Sequence, residues 1–182
     1  MEKPTPDEVA AAAGRTIPDV IGPDLDVLFC GINPGLWSAA VGHHFARPGN
    51  RFWPALHRSG FTPHQLDPAD SATLPDHRLG LTDLVERASA RADEIGYDEL
   101  VLGGKALLAK LETHRPTWLA VLGVGAYRWA FGTPDAMVGP QPEPLADTRV
   151  WVLPNPSGLN AHYTLDRLTE EFARLRETVQ NA

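Results

Sequence analysis

We predict an α/β fold from the amino-acid sequence, with strands and helices alternating along the chain. Two patterns predict it: short apolar runs that end in Gly- or Pro-rich turns, and intervening segments whose apolar residues recur at helical spacing. A third observation, a length of 182 residues of which 43% are hydrophobic, fits one compact domain with a sizeable core.

The strands are predicted from three apolar runs. They are DVLFCGINPG from Asp26, WLAVLGVG from Trp118 and RVWVLPNPSG from Arg149. Apolar runs that break at glycine or proline are typical of buried parallel strands that end in functional loops. Ligands of such folds gather outside the carboxyl ends of the strands, so the loops GINPG and NPSGLN are expected to face one cleft. Asn33 would stand at the end of the first strand.

Helices are predicted over 50–60, 104–114 and 164–179, where apolar side chains recur on one face. The proline-rich segment 132–148 is expected to be a surface connection. Residues 1–15 have no sustained apolar face, so we expect a loosely held lead-in with one short helical turn at most. The folded domain is then expected to comprise residues 16–182.

Composition restricts the compartment and the redox chemistry. No run of about eighteen apolar residues occurs, and the first residues lack the order of a secretory signal. A soluble cytoplasmic protein without a membrane partner is therefore expected. The single cysteine, Cys30, lies in the apolar run VLFC and is expected to be a buried, inert thiol. One cysteine excludes a disulfide framework and a cysteine-ligated cluster.

The net charge of -7 argues against a nucleic-acid partner, because surfaces that bind phosphates usually carry clustered positive charge. The acidic residues, however, gather near the chain ends and within 83–99, whereas His43, His44, Arg47 and Arg51 lie together. These four residues leave room for a small neutral-to-basic face.

Several enzyme classes lack their motifs in this sequence. No G-x-x-x-x-G-K-[ST], G-x-S-x-G or H-E-x-x-H pattern occurs, which argues against phosphate-loop, serine-hydrolase and zincin chemistry. The run LGVGAY has two of the three glycines of a dinucleotide-binding turn, but Arg128 stands at the third position. A closely packed turn is therefore the better interpretation of this run. The histidines have no metal-ligand spacing, so no metal site is expected.

Three ordered motifs remain: GINPG at 31–35, HFARPGNRFW at 44–53 and NPSGLN at 155–160. With them the chain, from about residue 16 onwards, resembles the mismatch-specific uracil-DNA and thymine-DNA glycosylase family. The resemblance implies a three-layer α/β/α fold like that of uracil-DNA glycosylase, with a short, mainly parallel central sheet.

The same resemblance implies a monofunctional hydrolase that initiates base excision repair. It would flip uracil out of G:U pairs in double-stranded DNA, with thymine in G:T pairs and alkylated cytosine as further candidates, and leave an abasic site. Such an enzyme needs no cofactor and is expected to act as a monomer. It would be cytoplasmic and associated with the nucleoid when acting on DNA.

The resemblance also assigns roles around the flipped base. Asn33 would accept a hydrogen bond from the attacking water, although an amide is a poor general base. Phe45 would stack on the base, and the peptide N–H groups of Ile32 and Phe45 would donate to the pyrimidine oxygens. Asn155 would either donate to the base O2 or hold the turn before Pro156, and both interpretations stay open.

Asp83 departs from the family, because relatives commonly have asparagine or lysine at this position. A carboxylate here could orient or deprotonate water as Asn33 cannot, which would raise activity and broaden substrate use. The alternative is a helix cap or first-turn acid at the start of DLVERASARADE.

Contacts to DNA are implied mainly for the loop Ser157–Asn160. Leu159 would be the wedge that fills the space left by the flipped nucleotide, and Gly158 and Asn160 would face the orphaned guanine. The candidates for phosphate contact are Arg47, Arg51 and Lys105. Lys105 is a candidate because GGK is expected to open a helix whose amides attract anions. The alternative for each of the three is a solvated surface charge.

Three rival functions compete with this interpretation. A cluster-containing uracil-DNA glycosylase is excluded by the single cysteine. A small-molecule α/β hydrolase or nucleotide enzyme would need a nucleophile-base pair or a phosphate loop, and the sequence offers neither. A glycosylase-like module that binds mismatches with little or no turnover stays open as the alternative.

Overall fold

One five-stranded sheet organises the chain in the computed structural model, which describes all residues from Met1 to Ala182. The strands are β1 (Val27–Gly31), β2 (Leu79–Asp83), β3 (Trp118–Leu122), β4 (Gly139–Pro140) and β5 (Arg149–Leu153). Their order in the sheet is β2-β1-β3-β5-β4. All neighbouring pairs are parallel except β4 and β5, which are antiparallel. The predicted short, mainly parallel sheet is confirmed.

Six α-helices connect and cover these strands. They are α1 (Pro6–Ala10), α2 (Leu36–Val41), α3 (Phe52–Arg58), α4 (Tyr97–His114), α5 (Val124–Phe131) and α6 (Leu165–Gln180). Two 3-10 segments, Pro68–His77 and Ala92–Glu94, lie in the connections. None of the helices combines the length and the apolar character needed to span a membrane.

The sheet is buried on both faces because successive strand residues point in opposite directions. Phe29 of β1 packs in one apolar cluster with Phe52 of α3 and Phe172 of α6. Leu28 of β1 packs in a second cluster with Leu107 of α4. Helices α3 and α6 therefore cover one face, and α4 and α5 the other, which confirms the three-layer α/β/α architecture.

Aromatic packing fixes the layer formed by α3 and α6. The rings of Phe29, Phe52 and Phe172 are fully buried, and their centroids lie 5.5 to 6.0 Å apart. Burying a side chain of this size stabilises a fold by about 1.5–3 kcal/mol relative to leaving it exposed. Phe45, in the chain between β1 and α3, packs against this cluster.

The predicted helices and strands agree with the structure at most positions. Helices α3 and α6 lie where they were expected, and the single thiol, Cys30, is fully buried with its pKa raised well above the ordinary value by that burial. Strand β2 was not predicted, because its run LGLTD is short. The helix that one of the two interpretations of Asp83 placed at the start of DLVERASARADE is wrong, since Asp83 ends β2 and the chain then forms bends followed by one short 3-10 segment.

Helix α4 begins at Tyr97, seven residues before the predicted start at 104. The sequence suggests a start at Gly103 and Gly104, but these glycines serve close packing inside the helix. A Cβ at Gly103 would collide with the carbonyl oxygen of Leu84, and one at Gly104 would lie 2.8 Å from that of Ala130.

Residues 1–15 include helix α1, which begins with a capping box between Thr5 and Glu8. Ala12 is fully buried in a small cluster with Ala39 and Ala88. The backbone of Gly14 donates to the carbonyl of Ala88. The domain boundary placed between residues 15 and 16 stays a prediction, but the lead-in contacts the rest of the protein.

Candidate active site

A cleft of about 340 Å³ opens at the carboxyl ends of β1, β2, β3 and β5. Strand order reverses here, since β2 lies on one side of β1 and β3 on the other. Open α/β sheets bind ligands at such a switch point. The loops GINPG and NPSGLN both line the cleft, as predicted from the sequence, with Asn33, Phe45, Asp83 and Asn155 among its walls.

The floor of the cleft is the pair Gly31 and Asp83, which are direct neighbours in the register of β1 and β2. Asp83 ends a strand and does not begin a helix, so the helix-cap interpretation is wrong. A Cβ at Gly31 would lie 2.5 Å from Asp83 Oδ1 and 3.3 Å from the Phe45 ring. Glycine is therefore required for the carboxylate and the aromatic ring to reach the same space.

Asn33 is held in one orientation by its amide nitrogen. Nδ2 donates to the carbonyl oxygen of Arg87 at 2.9 Å and to Ser89 Oγ at 2.8 Å, with a longer bond to Pro34 O at 3.2 Å. Carbonyl oxygens only accept hydrogen bonds, which fixes which end of the amide is nitrogen. Oδ1 has no protein donor and is left to accept a hydrogen bond from water, as the sequence-based interpretation requires.

The segment that holds Asn33 is itself anchored to α4. The Arg87 guanidinium donates to both carboxylate oxygens of Glu99, at 2.6 and 2.8 Å. The hydrogen bond to Arg87 lowers the pKa of Glu99 from its ordinary value to about 2. The bidentate geometry therefore braces the segment whose carbonyl group orients Asn33.

Phe45 forms one wall of the cleft. Its ring stacks on Phe52 with centroids 4.3 Å apart and planes inclined by 28°. The residue has a φ of 53°, a left-handed conformation that costs an aromatic residue about 1–3 kcal/mol. Such strain is common at functional sites, where the surrounding structure maintains it.

Two backbone donors in the loops that carry Ile32 and Phe45 have no partner within the protein. Neither N–H group forms a hydrogen bond to any backbone or side-chain acceptor. Unpaired, preorganised N–H groups can stabilise negative charge that develops on a bound group. The structure thus leaves available the donors that were predicted at these two residues.

His44 was not predicted as a site residue, yet it lines the cleft and contacts Asp83. It is buried, and its Nδ1 lies 3.3 Å from Asp83 Oδ2. The sequence shows His44 beside Phe45 but gives no sign of a contact with a residue 39 positions away. Arg87 and Ser89, which orient Asn33, were missed for the same reason.

Asn155 holds its turn, which is one of the two roles that were left open for it. Its Oδ1 accepts from the backbone N–H of Ser157 at 2.9 Å, which holds the turn after Pro156. Its Nδ2 has no acceptor in the protein, and Asn155 is one of the residues that line the cleft. The amide group can therefore hold the turn and still donate to a ligand.

The loop Ser157–Asn160 presents Leu159 to solvent, with 76% of the residue exposed. Exposure of a large apolar side chain at a loop tip was the expected sign of a wedge. Asn160 instead braces the loop, since Nδ2 donates to Asn155 O and Oδ1 accepts from the backbone of His162. Its side chain is not available for a guanine edge without breaking these bonds.

Arg51 also holds this loop. Its guanidinium donates to the carbonyl oxygens of Tyr163 at 2.6 Å, Asn160 at 2.9 Å and Gly158 at 3.2 Å. Its backbone N–H donates to Pro156 O at 2.9 Å. The phosphate contact predicted for Arg51 has no support in this geometry, because carbonyl groups occupy the guanidinium.

Arg47 is exposed at the rim of the cleft and forms no ion pair, so it remains available to a phosphate group. Lys105 is exposed too, but it lies in the middle of α4, whose first residue is Tyr97. The prediction that Lys105 opens a helix is therefore wrong, because the free backbone N–H groups at the start of α4 lie about eight residues before Lys105.

Comparison with known protein families matches residues 18–180 of this chain to the family described as the uracil DNA glycosylase superfamily. The chain belongs to the uracil DNA glycosylase superfamily. The matched residues include both loops of the cleft and every strand of the sheet. Membership in this superfamily supports a role as a hydrolytic DNA glycosylase, with DNA as the partner.

The fold is also that of a solved structure. The solution NMR structure of a candidate uracil DNA glycosylase from Methanosarcina acetivorans is similar to this chain with a TM-score of 0.61. The two sequences are 19% identical, and the similarity covers 92% of this chain and 98% of the other. At this identity the comparison supports the uracil DNA glycosylase-like fold alone.

Proposed function

We propose that this member of the superfamily is a monofunctional DNA glycosylase that excises uracil opposite guanine from double-stranded DNA. Thymine in G:T pairs and alkylated cytosine opposite guanine are further candidate substrates. One observation carries the proposal: the acceptor oxygen of Asn33 and the carboxylate of Asp83 line one cleft that also holds two unpaired backbone donors.

Hydrolysis would proceed by attack of water on C1′ of the deoxyribose. As the C1′–N1 bond breaks, its electron pair goes to the base, which departs as an anion, and the sugar gains oxocarbenium character. Asn33 Oδ1 orients the water, and Asp83 takes its proton, since an amide cannot. The attacking oxygen forms the new C1′–O bond and keeps its second proton as a hydroxyl group. The departed anion takes a proton from solvent and Asp83 returns its proton to solvent, so the products are the free base and an abasic site.

The leaving base would be bound by groups that need no rearrangement. Phe45 provides a flat apolar surface for the ring, and the N–H groups of Ile32 and Phe45 donate to its oxygens as negative charge develops. Asn155, which lines the same cleft, would supply a third donor through Nδ2. These donors act on the anion more strongly than on the neutral base, which is the requirement for catalysis.

Contact with DNA is assigned to the loop Ser157–Asn160 and to Arg47. Leu159 would enter the duplex and fill the space of the flipped nucleotide. Ser157 and Gly158 would present backbone groups to the opposite strand, and Arg47 would contact a phosphate group. No lysine lines the cleft, so strand cleavage through a Schiff base is not expected.

The test is base release from a panel of labelled duplexes with one central G:U, A:U, G:T or G:ethenocytosine pair, compared with single-stranded uracil DNA. We expect release from G:U to be fastest, with alkali-labile abasic sites and no strand cleavage before alkali. Tight binding of the G-containing duplexes without any release would support the mismatch-binding module instead. Equal release from single strands and duplexes would contradict the wedge and the proposed preference for guanine.

A further inference from the structure

The buried side chain of His44 lies between two acceptors. Nε2 is 2.9 Å from the carbonyl oxygen of Pro18, and Nδ1 is 3.3 Å from Asp83 Oδ2. A carbonyl oxygen accepts only, so Nε2 carries a proton. A neutral imidazole has one N–H group, and its Nδ1 would then turn a lone pair towards the carboxylate. The geometry favours the imidazolium, which donates to both partners.

The charges around His44 act in the same direction. Burial lowers the pKa of His44, but the hydrogen bond and charge of Asp83, the Pro18 carbonyl group and the charge of Asp19 together raise it above the ordinary value of 6.5. Asp19 is itself paired with Lys110, at 2.7 Å. Below its raised pKa, the imidazolium is therefore the form that this surrounding stabilises.

The backbone near His44 is fixed as well. Trp53 Nε1 donates to the carbonyl oxygen of His44 at 3.1 Å, and Ser38 Oγ accepts from the backbone of Ala46 at 3.0 Å. The histidine is thus held through its own carbonyl group, through the backbone two residues later and at the Nε2 end of its ring.

The Asp83 carboxylate has His44 as its one hydrogen-bonding or ionic partner. That contact uses Oδ2 and leaves Oδ1 directed over Gly31, where an added Cβ would lie 2.5 Å away. Without His44, no hydrogen bond or ion pair to a side chain would hold the carboxylate. Oδ2 therefore orients the carboxylate through His44, and Oδ1 is the oxygen that faces the cleft.

We propose that His44 is a positioning residue, which as an imidazolium binds Oδ2 of Asp83 and thereby holds Oδ1 at the floor of the cleft. The inference rests on the proposed function, in which Asp83 takes the proton of the attacking water. Its consequence is that the working site contains a protonated histidine. Base release should therefore decline as the pH rises through the pKa of His44, because the neutral ring repels the carboxylate.

The chain offers a pair of substitutions that separate the two contacts of His44. The amide nitrogen of His44→Asn can replace Nδ1 and keep a neutral donor to Asp83. The amide nitrogen of His44→Gln can replace Nε2, which keeps the contact with Pro18 and loses the one with Asp83. His43→Gln, next in the chain and outside the cleft, is the matched control. Melting temperatures establish that each variant folds.

Two readouts are needed. Long-range ¹H–¹⁵N NMR spectra of histidine-labelled protein report protonation of each ring nitrogen of His44 in the wild type and in Asp83→Asn. Single-turnover base release from a G:U duplex, measured across pH, reports the rate for the single variants and for the double variant His44→Gln with Asp83→Asn.

We expect His44 to titrate above 6.5 in the wild type and below it in Asp83→Asn, where burial is no longer opposed by the carboxylate. His44→Gln should slow base release at least tenfold, part of the roughly 10²–10⁴-fold supplied by a positioned general base. His44→Asn should retain more activity and lose the alkaline decline. His44→Gln should have no further effect once Asp83 is replaced.

Three results would overturn the proposal. They are a neutral His44 at pH 6.5 that does not respond to Asp83→Asn, a wild-type rate and pH profile in His44→Gln, and fully multiplicative losses in the double variant. If wild-type protein releases no base from any duplex, the proposed function fails. The NMR titration still decides whether the pair exists, so the two failures are distinguishable.

Discussion

Replacing Arg51 by alanine tests whether this residue holds the wedge loop or contacts a phosphate group. The change removes three hydrogen bonds of 2.6 to 3.2 Å to loop carbonyl groups. At a net contribution of about 0.5–1.5 kcal/mol each, the loop loses about 1.5–4.5 kcal/mol of support. The bond between Asn160 and Asn155 remains, so we expect the lower end, and mismatch duplexes should bind about 10- to 30-fold more weakly.

The assay is the dissociation constant for a G:U duplex over a range of salt concentrations. A loop-holding role predicts a weaker constant in Arg51→Ala with an unchanged salt dependence, and little rescue in Arg51→Lys, since one ammonium cannot reach three carbonyl groups. Arg58→Ala removes the same charge from the far end of α3, where Arg58 pairs with Asp166, and is the control. A salt slope reduced by about 0.9 in Arg51→Ala, with rescue by lysine, would refute the argument and restore the phosphate contact.

Three further predictions follow from the same geometry. Leu159→Ala should slow base release from duplex DNA and leave the melting temperature unchanged, because the side chain is exposed; an equal loss on single-stranded substrate would contradict the wedge. Gly31→Ala should reduce single-turnover base release at least as much as Asp83→Asn, since its Cβ displaces the carboxylate, and wild-type activity in this variant would show that the floor can move. Glu99→Gln should lower the free energy of unfolding at neutral pH. The difference from wild type should hold above about pH 4.5 and disappear as the pH falls towards 2, because Glu99 is protonated as its lowered pKa is passed. A difference between the two proteins that stays constant at every pH would exclude the role of the bond between Glu99 and Arg87.

Strands β1, β3 and β5 could be predicted because each is a continuous apolar run in the sequence. Residues of β1, β3 and β5 are buried on both faces of the sheet, so their side chains are almost uniformly apolar and their ends are marked by Gly31, Gly123 and Pro154. The loops that follow β1 and β5 carry unusual residue patterns, which made the cleft and Asn33 accessible to prediction.

Strand β2 and the support of the site could not be predicted in this way. The five residues of β2 are a strand because they pair with β1, and this register places Asp83 beside Gly31. Arg51 and His44 reach partners about 110 and 39 positions away, so the contacts exist only in the folded chain. The prediction that a helix starts beside Lys105 was wrong, because Gly103 and Gly104 lie inside α4, where the lack of a side chain lets the helix pack against Leu84 and Ala130.

The central claim is that Asn33 and Asp83 together hydrolyse the glycosidic bond of a flipped base. Its most direct test is single-turnover formation of alkali-labile sites in a duplex with one central G:U pair, comparing wild type with Asn33→Ala and Asp83→Asn. We expect abasic sites with wild-type protein, a large loss in each variant and intact binding of the duplex in both. Wild-type protein that binds the duplex and releases no uracil, or variants that both keep the wild-type rate, would contradict it.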